Sequence, residues 1–164
     1  MHKIVLMFLS VFIFQAGLYS KDTTDELYLS PGVSLGYTFG DGFTWGGQIS
    51  IGAFQFKAGD GFIWGNVEGP VVGLTAGFRR SNLRTLRYVD AQVFSWESPI
   101  PFGGLGLGKA WVIPRDTGEV QGYVHIKAWA WYFGAIQADR FFNKTRSFNS
   151  LSGGLLLPLP FTGL

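Results

Sequence analysis

The sequence predicts an all-β protein, a closed antiparallel up-and-down β-barrel of about eight strands formed by residues 21–164 and preceded by a cleavable signal peptide over residues 1–20. Three observations carry this prediction. Apolar and polar residues alternate with a period of two through most of the chain. Glycine and aromatic residues are abundant, with 24 Gly, 16 Phe, 6 Trp and 6 Tyr in 164 residues. Each interior glycine costs a helix about 1 kcal/mol relative to alanine, whereas curved sheets use glycine where strands bend or crowd, and aromatic residues favour strands. The third observation is a short basic start followed by an apolar run at the N-terminus.

That N-terminal segment reads Met1-His2-Lys3, then Ile4 to Phe14 broken only by Ser10, then the small residues Ala16, Gly17 and Ser20. It is too short for a membrane helix, which needs about 20 apolar residues. It has the layout of a secretory signal, with cleavage expected near Ser20-Lys21. The alternative is a buried N-terminal helix, against which stands the abrupt polar stretch Lys21 to Glu26. The chain has no Cys, so lipid-anchored maturation is not expected and stability must come from packing or from a hydrogen-bonded closed sheet. Loss of Lys3 from 13 Lys+Arg leaves near balance against 11 Asp+Glu, which provides no broad basic field for nucleic acid. With 47% hydrophobic and 15% charged residues, disorder is excluded as well.

In the first strand Val33, Leu35, Tyr37 and Phe39 alternate with Ser34, Gly36 and Thr38, and Gly40-Asp41-Gly42 supplies a hairpin turn. The second strand sets Phe43, Trp45, Ile49 and Ile51 against Thr44, Gln48 and Ser50. Its phase slips at Ala53-Phe54, as one inserted residue would cause, which predicts a β-bulge there. The turn sequence Gly40 to Gly46 recurs nearly unchanged as Gly59 to Gly65, an echo too brief for a repeat protein and read as the same turn used twice. Val72, Leu74, Ala76 and Phe78 form the third strand, Ser81-Asn82 a turn, and Tyr88 to Val93 the fourth strand, with Tyr88, Asp90 and Gln92 on one face. Ser98-Pro99-Ile100-Pro101 is a loop, since proline lacks the donor a central strand needs. Leu105 to Ile113 is a glycine-rich fifth strand, closed by a turn over Pro114 to Gly118. The sixth segment places Val120, Gly122, Val124, Ile126, Ala128 and Ala130 on one face and Gln121, Tyr123, His125, Lys127, Trp129 and Trp131 on the other. Beyond it, Phe133 to Phe142 and Ser152 to Leu159, the latter holding Pro158, are expected to supply one or two more strands. Closure with an even count then gives eight.

Collected by face, Thr44, Gln48, Ser50, Lys57, Thr75, Arg79, Asp90, Gln92, Gln121, His125 and Lys127 lie together, opposite a face nearly free of charge. A membrane barrel turns the apolar face outward, and a soluble barrel reverses the order. The pattern alone leaves the direction open, but charges in the strands are few for a solvated exterior. Trp45, Trp64, Trp96, Trp111, Trp129 and Trp131 are candidates for interfacial girdles, with ordinary core as the alternative. Through its signal segment, its Gly- and aromatic-rich alternating strands and its length, Leu27 to Leu164 resembles the broad class of small bacterial outer-membrane β-barrels. The resemblance implies residence in the outer membrane, with the periplasm or secretion as the alternative, and contact with membrane lipids; it brings no functional residues with it. Members typically end in an aromatic residue, and this chain departs from that in Pro160-Phe161-Thr162-Gly163-Leu164.

The candidate lumen set is Arg79, Asp90, His125 and Lys127, either a structural ion pair of Asp90 with Lys127 or Arg79, or a polar ligand pocket or narrow pore. His125 is the one histidine left after signal removal, which speaks against a histidine-built metal site, and no cofactor is expected. Catalysis at His125 would need a serine such as Ser147, Ser150 or Ser152 brought near by the fold, so no enzymatic activity is expected. Arg80, Arg84 and Arg87, with Arg79, surround the Ser81-Asn82 turn, where guanidinium groups are candidates for gripping lipid phosphates. Asn143-Lys144-Thr145 matches a glycosylation sequon, without meaning in a bacterial chain. The expected function is that of a structural or surface-interaction barrel; the alternatives are a narrow pore or small-ligand transporter and, further off, a lipid-modifying enzyme.

Overall fold

The computed structural model describes residues 23–57, 66–95, 102–131, 134–156 and 159–161. The expected signal peptide, the second turn over Gly59 to Gly65, the Ser98 to Pro101 loop and Pro158 lie outside the described residues. So do Trp64 and Trp96, and the side chain of Lys57. Within them run β1 (Thr23–Thr38), β2 (Gly42–Lys57), β3 (Asn66–Arg80), β4 (Arg84–Ser95), β5 (Phe102–Pro114), β6 (Gln121–Trp131), β7 (Ala135–Phe142), β8 (Ser147–Leu156) and the short β9 (Leu159–Phe161). From β1 to β8 each strand pairs antiparallel with the next, and β1 pairs with both β2 and β8, which closes the sheet. β9 continues the edge of β8 along β1, from Leu27 to Leu29, so the barrel has eight strand positions. The closed antiparallel barrel of eight strands is thus the observed fold.

β1 begins ten residues ahead of the alternation at Val33, because apolar Tyr28 points inward between the outward Leu27 and Leu29 and hides the period of two. The turn between β1 and β2 is made as expected by glycines in the left-handed region, Gly40 at φ 92° and Gly42 at φ 87°, where Asp41 N–H donates to the Thr38 carbonyl at 3.0 Å. In the β3 to β4 turn the Ser81 hydroxyl accepts from the Leu83 and Arg84 amides at 3.2 and 3.0 Å. Asn143, first residue of the sequon, does the same work between β7 and β8: its Oδ1 accepts from Thr145 N–H at 2.9 Å and Arg146 N–H at 2.8 Å.

The register does break opposite Ala53, but the extra residues are on the other strand. Between Ala53↔Val72 and Gln55↔Glu68 one residue of β2 faces three of β3, while β2 stays in unbroken register with β1. The inserted stretch contains Pro70, which cannot donate to a ladder, so the irregularity belongs to β3 and not to β2 as the phase slip suggests.

The direction left open by the sequence is resolved by burial. Thr38, Thr44, Ser50, Thr75, Arg79, Asp90, Gln92, His125 and Lys127 are buried in the lumen, and Val33, Leu35, Ile49, Ile51, Leu74 and Ile136 are exposed on the outer wall. The lumen is layered. Toward the end that carries the four described turns, Leu86, Tyr88, Ala110, Val112, Tyr123 and Phe141 form one apolar cluster, with Phe148 packed on it. Toward the other end Tyr28, Val71 and Phe94 form a second, with Trp129 against it. The charged side chains lie between the two. An eight-stranded barrel has just enough room for such a filling, and glycine makes that room. A Cβ on Gly108 would meet the carbonyl of Val89 and the carboxylate of its partner Asp90. Gly108→Ala is accordingly expected to cost about 1–3 kcal/mol through overpacking, read as a lower urea midpoint of the folded barrel; an unchanged midpoint would mean that β5 yields freely.

Candidate functional site

The period of two carries Arg79 on β3, Asp90 on β4, His125 and Lys127 on β6 and Asp139 on β7 into one layer of the lumen. Asp139 is the member that the sequence reading missed. Its carboxylate receives Arg79 Nη1 at 2.6 Å, Gln137 Nε2 at 2.6 Å and meets His125 Nε2 at 2.8 Å. On its other side His125 meets Asp90 Oδ1 through Nδ1 at 2.7 Å, and the Lys127 ammonium lies 3.3 Å from Asp90 Oδ2. The result is a continuous chain Arg79, Asp139, His125, Asp90, Lys127 reaching across four strands. An ionised carboxylate only accepts, so the His125 Nε2 that meets the Asp139 carboxylate donates to it.

The five groups are nearly sealed, with His125 at 0% and Lys127 at 1% exposure. The His125 ring stacks on Phe141 at 4.3 Å and meets the edge of Tyr88 at 5.1 Å, while Arg79 and Lys127 approach the Tyr88 ring from 5.9 Å each. Buried charges persist only when paired and hydrogen-bonded, and hydroxyl groups add further bonds to the layer, although within it Arg79 Nε donates no hydrogen bond and Asp90 Oδ2 accepts none. Ser150 accepts from Arg79 Nη1 at 2.9 Å and from Thr38 Oγ1 at 3.1 Å, and Ser50 is bonded to Thr75 at 2.8 Å. Of the two pairings considered for Asp90, the contact with Lys127 is present, whereas Arg79 is bonded to Asp139. With both His125 nitrogens engaged by carboxylates and Ser150 engaged by Arg79 and Thr38, these side chains are arranged as a cross-brace.

The four arginines near the β3 to β4 turn are separated by the same alternation. Arg79 points into the lumen, and Arg80 and Arg87 are exposed on the outer wall. Arg84 lies at the mouth, bonded through Nε and Nη2 to both carboxylate oxygens of Asp41 and standing 4.0 Å over the Phe148 ring. Its guanidinium is therefore committed to tying the β1 to β2 turn to β4. Of the described tryptophans, Trp45 is exposed on the outer wall against Phe78, with ring centroids 5.7 Å apart. Trp129 is in the lumen against Phe94 at 5.1 Å, which answers its case in favour of core. A charge count gives the signal for Asp139: on the polar face read from the sequence, Lys57, Arg79 and Lys127 stand with Asp90 as the one carboxylate, and a closed lumen asks for a second carboxylate in phase.

No protein-family model matches the chain, and no curated protein matches its sequence. Among solved structures it is similar to the crystal structure of the N-terminal β-barrel domain of Pseudomonas aeruginosa OprF, at 15% sequence identity and a TM-score of 0.49, over 82% of this chain and 100% of that one.

Proposed function

We propose that the mature chain is an outer-membrane β-barrel protein of structural or surface-interaction type, with a filled lumen in place of a conducting path. The observation that carries the reading is its inverted polarity. Arg79, Asp90, His125, Lys127 and Asp139 are sealed inside, while Val33, Leu35, Phe43, Ile136 and Leu155, each more than 60% exposed, stand on the outer wall. Contiguous apolar patches beyond a few hundred Å² are foreign to monomers in water, and a closed barrel leaves no unpaired edge for lipid to meet. The strands run from 8 to 16 residues apart from β9, against the roughly 9–11 needed to cross a bilayer at a tilt. A lumen stacked with aromatic clusters on either side of a braced charge layer favours the structural role over the pore.

Cell fractionation with heat-modifiable gel mobility tests the first half of this reading, and planar-bilayer conductance the second. Recovery in the outer-membrane fraction, with a band that shifts on boiling and with no step currents, is the expected result. Recovery in the soluble periplasm would overturn the membrane seating, and regular conductance steps would overturn the filled lumen.

A further inference from the structure

Resting on that membrane seating, we infer that the outer wall of β1 to β4 binds one anionic phospholipid, its phosphodiester held between Arg80 and Arg87 and one acyl chain laid in the groove below them. The groove is an open apolar trough of about 450 Å³ lined on its outer side by Pro31, Val33, Gly47, Ile49, Ala76 and Phe78. It exists because Gly47 and Ala76 fall in the outward phase between larger residues: Gly47 is paired with Val33 on one side and Phe78 on the other, and Ala76 with Ile49. Along β3 the outward residues climb from Ala76 through Phe78 to Arg80. Arg87 is the β4 partner of Phe78, and Arg80 is the partner of Thr85, two residues from Arg87. The two arginines are thus diagonal neighbours on one face, about 7–8 Å apart at the backbone, a separation that two long guanidinium arms close around a phosphate.

Charge selects the headgroup. Outward-facing cations on the strands include Arg80, Arg87, Lys109 and Arg140, whereas the strand carboxylates whose side chains are described, Asp90 and Asp139, both face the lumen. Neither Arg80 nor Arg87 has an ion-pair partner among the described residues, in contrast to Arg84 and Arg79. Aromatic rings share their level, since Arg80 is partnered by Trp45 and Arg87 by Trp111, and rings of this kind mark the headgroup zone of a bilayer. One cation pair above one trough suits a lipid with a single phosphate better than a multiply acylated diphosphorylated glycolipid.

The test is native mass spectrometry of the full mature chain after reconstitution in nanodiscs of equal phosphatidylglycerol and phosphatidylethanolamine with identical acyl chains, followed by delipidation. One phosphatidylglycerol is expected to remain bound. Its retention should fall about tenfold, the loss of charge-assisted hydrogen bonds, in Arg80→Gln with Arg87→Gln, and should also fall in Ala76→Phe, which fills the trough and leaves both cations. Folding of each variant is read from its heat-modifiable band, and the wild-type protein gives a second reading, because retention should weaken as salt rises. Equal retention of the two lipids, unchanged retention in the double variant, no response to salt, or displacement of phosphatidylglycerol by added lipid A would overturn the assignment. A chain that stays soluble without detergent would instead overturn the membrane seating itself.

Discussion

Asp139→Asn is expected to lower the stability of the folded barrel by about 3–5 kcal/mol, the cost of leaving buried charge without its counter-ion. Three donors converge on this carboxylate, from Arg79 at 2.6 Å, Gln137 at 2.6 Å and His125 at 2.8 Å. An amide of the same shape offers one acceptor oxygen and turns an NH2 group toward the remaining donors. Arg79 would keep Ser150 as a neutral partner only, and water has little access, since Asp139 is 4% exposed. Part of the loss should return when the charge is removed from both sides, in Arg79→Met with Asp139→Leu, because apolar packing replaces buried ion pairs at little net cost. Urea unfolding of the lipid-reconstituted barrel checks both variants. An Asp139→Asn midpoint equal to that of the wild type would show that the brace contributes nothing to stability, and a double variant weaker than the single one would show that the lumen depends on the charges themselves.

The absence of Asp139 from the sequence reading has a physical cause. In β4 and β6 the two faces differ sharply in polarity, so Asp90, His125 and Lys127 fall into one phase at once. In β7 the inward Ala135 and Phe141 are as apolar as the outward Ile136 and Ala138, and the outward Arg140 is as polar as the inward Asp139. The alternation is present in space and nearly silent in composition. Tyr28 conceals the first half of β1 in the same way, since an aromatic residue in the lumen reads as apolar wherever it stands. The displaced bulge reflects a different limit: register belongs to a pair of strands, and a phase slip seen in β2 alone does not say which partner holds the additional residues. The direction of the barrel is of the same kind, because period two divides residues into faces without saying which face meets solvent.

Leu74→Arg is expected to separate a membrane exterior from a solvated one. Leu74 stands outward near the middle of β3, 53% exposed, between its partners Ile51 and Ala91. At the midplane of a bilayer an outward arginine costs a barrel about 2–4 kcal/mol. On a wetted surface the same substitution stays within about 0.5 kcal/mol and tends to improve solubility. Leu83→Arg serves as the control, since Leu83 is 56% exposed in the β3 to β4 turn beyond the apolar wall and should tolerate the charge in either setting. Folding into lipid vesicles, titrated with urea and read by gel mobility, compares the two. A large loss for Leu74→Arg with a small one for Leu83→Arg places the outer wall in hydrocarbon, whereas equal small losses would return the barrel to water. In that second case the exposed Val33, Leu35, Ile49, Ile51 and Leu74 would need a protein partner to cover them. The depth dependence gives the comparison its force, because chemistry and exposure are matched and only the position along the barrel axis differs.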